Sequence, residues 1–330
     1  MMSTMLRRYK QVAVALSFGF VALASHAESV EHYPSSSVTM IVGWAAGGPA
    51  DGVGRMVAAE MSKHLGQAIV VDNKGGAGGN IGSVAAARAK PDGYTIMLAT
   101  VASHGLNSAL YDNIGYDPIK DSAPVGLINT SPSTMLVPLD SPFKTVQDYV
   151  AYAKENPGKL TYGSGGVGSS QHLAGASFKT RTGIDILHVP FKGTAPALTD
   201  VMAGRIDMII TTGAMAPIAS GKVRPLAITS KSRIQALPDV PTFDEAGVKG
   251  FYMDSWYGLV APAGTPRPIL QKLNEALNKA LQNPELRQKF VDMGSVPADP
   301  MSMDAYWDMV QKGMTEAAEL VQISGAKAEK

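Results

Sequence analysis

Four sets of residues in this 330-residue chain have types and spacings that could carry chemistry. Gly163-Ser164-Gly165-Gly166-Val167-Gly168 matches G-x-G-x-x-G, the turn that lays a dinucleotide pyrophosphate on a helix N-terminus. That fingerprint needs an acidic residue closing the next strand to hold the ribose. Here Asp185 precedes that strand and Lys192 follows it; Asp72 does end a strand, but the loop before it lacks the spacing. Neither half carries both parts, so no nicotinamide or flavin cofactor is expected. The histidines show no H-x-x-x-H pair and no H-E-x-x-H, and with no cysteine present no metal site is expected. Asp200 and Asp207 have the types for paired acid-base carboxylates, but one falls in a helix and the other opens a strand, which suits surface caps or a hinge contact better. His172, in a first helical turn, is placed either to donate to a bound acid or to pack its helix.

The fourth set is the glycine- and hydroxyl-rich strand ends: 47–51, 75–82, 164–170 and 193–197. Val38 to Arg55 reads as an apolar β-branched strand, a glycine-rich loop and the start of a helix with Asp51 as its N-cap. Glycine tolerates positive φ and leaves no side chain in the way. The helix that follows adds about half a positive charge at its N-terminus. Such loops suit an anion, and serine and threonine hydroxyls add donors. Nucleophile-base pairs are scarce, and neither G-x-x-x-x-G-K-[ST] nor G-x-S-x-G occurs, so binding is the economical reading.

The elements that must position these loops alternate. Strand 38–42, helix 51–65, strand 68–71, helix 80–89 and strand 94–99 give βαβαβ, whose right-handed crossovers make the strands parallel. The two glycine-rich loops of this half are expected to flank one crevice. A β-prone segment, 124–139, crosses to a second unit at Ser131-Pro132-Ser133. A helix over 145–155, strand 160–162, helix 171–180, strand 186–191, a helix led by Pro196 and strands 206–211 and 225–229 repeat the pattern. Residues 255–261 cross back. Three terminal helices follow, started by Thr265-Pro266, Asn283-Pro284 and Ser302, and are expected to pack on the first unit. Two mainly parallel sheets flanked by helices and joined by two crossings form a hinged α/β pair, with ligands expected at the carboxyl ends of the strands, in the cleft.

Composition narrows the partners. Twenty-nine basic and 28 acidic residues leave a net charge of +1, which offers no footprint for nucleic acid. Arg7, Arg8 and Lys10 precede an apolar run, Val12 to Ala24, and then Ser25-His26-Ala27. This pattern is a secretory signal peptide, 1–27, cut after Ala27, and it points to the periplasm.

The mature chain resembles the Bug family of extracytoplasmic solute receptors, the substrate-binding components of tripartite tricarboxylate transporters. The resemblance rests on G-G-P-A-D-G-V-G-R (47–55), L-G-Q-A-I-V-V-D-N-K-G-G-A-G-G-N-I-G (65–82), P-G-K-L-T-Y-G-S-G-G-V-G-S-S-Q-H-L (157–173), H-V-P-F-K-G-T-A-P-A-L-T-D (188–200), L-P-D-V-P-T-F-D-E-A-G (237–247) and W-Y-G-L-V-A-P-A-G-T-P (256–266). It implies a two-domain periplasmic binding protein, type II-like, with domain 1 from 28–131 and 254–330 and domain 2 from 132–253. It implies a monomer that closes on a small mono- or dicarboxylate, partly through ordered waters, and hands it to transporter membrane subunits without turnover. Carried over by position, the ligand contacts are Gly47, Gly48, Ala50 and Asp51 on one side, and Ser164, Gly168, Ser169, Gly193, Thr194, Pro196 and Ala197 on the other. This sequence departs from the family in its lead into Gly47, where Trp44 either stacks on an aromatic acid or packs into the core. A periplasmic sensor for a membrane kinase and a secreted dinucleotide-dependent enzyme are the alternatives.

Overall fold

A computed structural model describes residues 32–325; the leader and its cut after Ala27 lie outside the described residues. The apolar run becomes β1 (Val38–Val42), four of whose five residues are buried, because helices cover both faces of the sheet. α1 (Pro49–Leu65), β2 (Ile69–Asn73), α2 (Asn80–Ala87) and β3 (Thr95–Thr100) complete the βαβαβ unit. β1 lies between β2 and β3, parallel to both. α1 stops at Gly66, which takes φ +74° and returns its N–H to the Ser62 carbonyl.

The sheet continues as antiparallel. β10 (Ser255–Pro262) pairs with β3 and with β4 (Ser122–Ser131), and β11 (Val296–Pro297) adds to the far edge of β4. The resulting order is β11-β4-β10-β3-β1-β2, a mixed sheet where the sequence pattern predicts a mainly parallel one. β4 carries the chain out of this sheet and β10 brings it back, so neighbours with those duties must run in opposite directions.

Beyond Pro132 the chain enters a second set of strands. β5 (Thr134–Pro138) is antiparallel to both β8 (Ile209–Thr211) and β9 (Val223–Ile228), while β6 (Thr161–Ser164) and β7 (Leu187–Pro190) are parallel. A parallel bridge from Tyr162 to Met208 joins the two groups. Around them stand α4 (Val146–Glu155), α5 (Ser170–Thr182), α6 (Thr194–Met202) and α7 (Met215–Ala219). Thr145 and Asp148 form a full capping box at the start of α4. The apolar side chains of this unit gather around Tyr149, Phe178, Phe243 and Phe251, apart from the core built on β1 and β3.

The terminal helices pack on the first unit as expected, through Leu270, Leu273 and Leu277 of α8 (Arg267–Ala280), Phe290 of α9 (Pro284–Asp292) and Tyr306 of α10 (Met303–Ser324). Asn283 and Ser302 cap α9 and α10 through their side chains. Thr265 does not cap α8: its hydroxyl donates to the Pro262 carbonyl and Pro266 stands at the N-cap position. α10 is long enough to leave its own core, and Ala317 and Val321 pack with Leu106 and with Leu173 of α5 in the second unit. Among the described residues no helix is long and apolar enough to cross a membrane.

Candidate ligand-binding site

Residues 43–45 of the first glycine-rich loop pack directly on residues 75–82 of the second. A Cβ on Gly82 would lie 2.7 Å from Gly43 Cα, one on Gly43 would lie 3.0 Å from the Gly79 carbonyl oxygen, and one on Gly75 would lie 3.0 Å from Ala45 N. Main chain meets main chain, so these glycines serve loop-to-loop contact. Trp44 belongs to the same joint. A Cβ on Gly79 would lie 3.6 Å from the indole Cζ2, the side chain packs on the first core, and the Trp44 carbonyl accepts from Asn73 Nδ2 at 3.0 Å.

Asp51 is not the N-cap of α1. Gly48 occupies that position, with Pro49 after it, and the Gly48 N-cap carries no side-chain acceptor for the first-turn N–H groups. Asp51 instead turns its carboxylate back to accept from the Gly47 N–H at 2.9 Å, with Arg55 Nε 3.0 Å away on the next turn. Arg55 also donates to Asn73 Oδ1 at 3.0 Å, which closes a ring through Trp44 and the loop. The Arg55 hydrogen bond, with that of Gly47, holds the Asp51 carboxyl down at about 2. This buried carboxylate is a strut for the loop; what it leaves to a ligand is main-chain N–H. Ala50 is likewise buried in the first core, while Gly47 is exposed at φ +82°.

In the second unit the loops after β6 and β7 are brought together. Gly193 N donates to the Gly165 carbonyl at 3.2 Å, and a Cβ on Gly165 would lie 3.2 Å from Thr194 N and Oγ1. The side-chain amide of Gln171 donates from Nε2 to Thr194 Oγ1 at 3.1 Å and to Thr211 Oγ1 at 3.2 Å, tying the starts of α5 and α6 to β8. Ser169 caps α5, accepting from His172 N and donating to the Gly166 carbonyl. Gly193 takes the N-cap position of α6 with no side-chain acceptor. Pro196 is exposed in the first turn of α6, and Ala197 is buried beneath it.

Ser164 Oγ lies 2.6 Å from His188 Nε2, the separation of a nucleophile and its base. The serine has no exposed surface, and its hydroxyl also donates to the Gly166 carbonyl and accepts the Gly166 N–H. It therefore knits the loop rather than facing a substrate. His188 is stacked between Tyr162, 4.8 Å away between centroids, and His172, 4.1 Å away. Burial pushes both imidazoles down, His188 to about 4 with help from His172. Gly168 N donates to His172 Nδ1 at 3.1 Å, which places the proton of neutral His172 on Nε2.

The segment after β3 joins these pieces. It forms a π turn, Ala102–Leu106, running into α3 (Asn107–Leu110). Asn107 Nδ2 donates to the Gly78 carbonyl at 2.9 Å and to Asn80 Oδ1 at 2.7 Å, and a Cβ on Gly168 of the second unit would lie 3.5 Å from Leu110 Cδ2. No sequence motif marks 102–110. The i, i+4 spacing of Asp51 and Arg55 was the available signal for that pair. Among the described residues no His, Asp and Glu cluster has the makings of a metal site. Asp200 pairs with Arg205, whereas Asp207 accepts from Thr161 N and Oγ1 at 2.8 Å, so these two acids tie separate parts of the fold.

Comparison with known proteins matches the tripartite tricarboxylate transporter family receptor over residues 53–325. A UPF0065 protein of Agrobacterium vitis, from the TAR-I ttuE-ttuC' intergenic region, is 43% identical over 300 residues, covering 90% of this chain and 86% of the relative. An R. palustris protein solved with adipate is 34% identical, with a TM-score of 0.77, covering 89% of this chain and 99% of its own. MatC from Rhodopseudomonas palustris, solved with bound malate, is 34% identical with a TM-score of 0.73, covering 88% and 100%.

Proposed function

From the premise that this chain belongs to the tripartite tricarboxylate transporter receptor family, we propose that it captures a small carboxylate between two lobes and delivers it to the transporter's membrane subunits. The resemblance to the Bug receptors and the α/β periplasmic-binding-protein architecture both hold. The lobes of this reading are residues 28–131 with 254–330, and residues 132–253. It is a monomer in the periplasm, with residues 1–27 removed, and it performs no turnover.

The observation that supports the reading most is the state of the helix starts. α1 and α6 begin at glycines, Gly48 and Gly193, with no side-chain acceptor for their first-turn N–H groups. In α1, Gly47 N–H is taken by Asp51, which leaves the N–H groups of Ala50 and Asp51 for a ligand. In α6 the N–H groups of Thr194 and Ala195 stand in the same position, Pro196 having none, beside the hydroxyl of Thr194. Partial positive charge and main-chain donors at both starts fit a carboxylate. Ser164 and Gly168 act from behind, by shaping the loop that carries Ser169. Trp44 supports the facing loop. The adipate and malate held by the two Rhodopseudomonas proteins make small dicarboxylates the first acids to try.

A thermal-shift screen of mono- and dicarboxylates, malate and adipate among them, tests the reading. A ligand at 100 times its dissociation constant stabilises the folded state by about 2.7 kcal/mol. Stabilisation by one class of acids supports it. Turnover of an acid, or stabilisation by dinucleotides and by no acid, removes it.

A further inference from the structure

A second concavity lies at the other end of α5 from the loops just described. α5 runs from Ser169, its N-cap, to Arg181 and Thr182, a rise of about 20 Å for a helix of this length. At its C-terminal end, between α4 and the 246–249 loop, is a cavity of about 630 Å³. Its floor is apolar, with Val150, Ala246 and Val248. Its rim carries Lys154, Arg181 and Lys249, all three exposed.

Among the described residues none of these three cations has a carboxylate within ion-pair distance, as is true of most cations of this unit; what sets them apart is that they converge on one concavity. Lys154 and Arg181 stand in the last turns of α4 and α5, where cations offset the helix dipole. That accounts for neither Lys249, in a loop, nor the apolar floor beneath them. Asp244 is the carboxylate within electrostatic reach of Lys249, and it is engaged by Tyr252 Oη and Gly250 N. In a chain of net charge +1, three such cations around an apolar floor form a local positive field that steers an acidic partner.

We infer that this groove docks an acidic segment of the transporter's membrane subunits, one that presents carboxylates to Lys154, Arg181 and Lys249 and an apolar side chain to Val150 and Val248. The inference rests on the proposed receptor function. Because the groove sits on one unit, a helix length away from the ligand loops, docking there leaves the carboxylate site unobstructed.

The chain has no cysteine, so Ala151→Cys on the groove wall gives a single attachment point for a photo-crosslinker. Illumination of cells carrying the labelled protein is expected to give an adduct whose partner is a membrane subunit of the tripartite transporter. The triple variant K154E/R181E/K249E is expected to lose that adduct and to lower uptake about tenfold or more, while keeping the wild-type thermal shift with the acid found in the screen, its own melting temperature falling only by the lost helix-dipole interactions of Lys154 and Arg181. Uptake and crosslinking unchanged in the triple variant overturn the docking groove and leave the receptor function standing. An adduct with lipid or with a second copy of the chain also overturns it. If the wild-type protein is stabilised by no acid and supports no uptake, the receptor reading fails first and the groove falls with it.

Discussion

The imidazole of His188 lies flat against that of His172, with centroids 4.1 Å apart and ring planes 8° from parallel. Two stacked imidazoles tolerate one proton poorly and two worse, and burial opposes the first as well. His172 Nδ1 also accepts from Gly168 N, so the protonation state of the pair bears on stability and on the loop that carries Ser169.

The sign of the pH dependence follows. His188 and the fully buried His104 are both held down at about 4 in the folded protein, against 6.5 for an unperturbed imidazole. Between those values the unfolded chain binds protons that the folded chain refuses, so stability rises with pH across that interval. The contribution is complete above 6.5 and is lost as pH falls toward 4. Melting temperatures recorded from pH 7.5 down to 4.5 should decline, and His188→Asn should shallow the decline. A flat profile for the wild type would contradict the buried, neutral pair.

A glycine inside the loop-to-loop joint and one outside it are expected to respond oppositely to alanine. Gly82→Ala puts a Cβ 2.7 Å from Gly43 Cα, backbone that has nowhere to move, and should cost about 2 kcal/mol. Gly52→Ala, inside α1 with nothing within 4 Å, should gain about 1 kcal/mol from helix propensity. Urea denaturation midpoints measure both. Equal effects would mean that the loops are not in contact.

Asp51 and Arg55 act as one unit on the Gly47 loop. Asp51→Asn and Arg55→Gln should each weaken acid binding, and the double variant should be no worse than the poorer single one, because contacting residues in one network are not additive. Titration calorimetry of the three variants supplies the cycle. Additive losses would assign Asp51 a contact of its own with the ligand.

Trp44→Ala should weaken aromatic and aliphatic acids alike, since the indole is committed to Gly79 and to the first core. A selective loss of aromatic acids, measured against adipate as the aliphatic reference, would show instead that the ring stacks on the cargo.

Much of this architecture is legible in the residues. The alternation of apolar strands and amphipathic helices, the stops at Gly66 and Gly183, and the caps at Asn283 and Ser302 are local signals with local causes, and each stands where the pattern puts it. The antiparallel half of the first sheet is not local: it depends on the chain returning through β10 after an excursion of more than a hundred residues. The glycine loops show a different limit. Absence of a Cβ signals that something comes close, but not whether that something is an anion or another loop; for Gly43, Gly75 and Gly82 it is another loop. Asn107 and Leu110 carry no motif because their partners, Gly78 and Gly168, are distant in the chain. Likewise Ser164 reads as a ligand contact by position, yet its hydroxyl is spent inside its own unit.

The reach of α10 has a mechanical corollary. Its first turns are anchored beside Tyr306 and its last ones against Leu173, so it straps the two halves together alongside the paired strands at Ser131 and Ser255. A swing that parted the halves widely would have to peel Val321 off Leu173. The pivot is therefore confined near the end of that helix, and the halves can part only as far as a three-point suspension can twist.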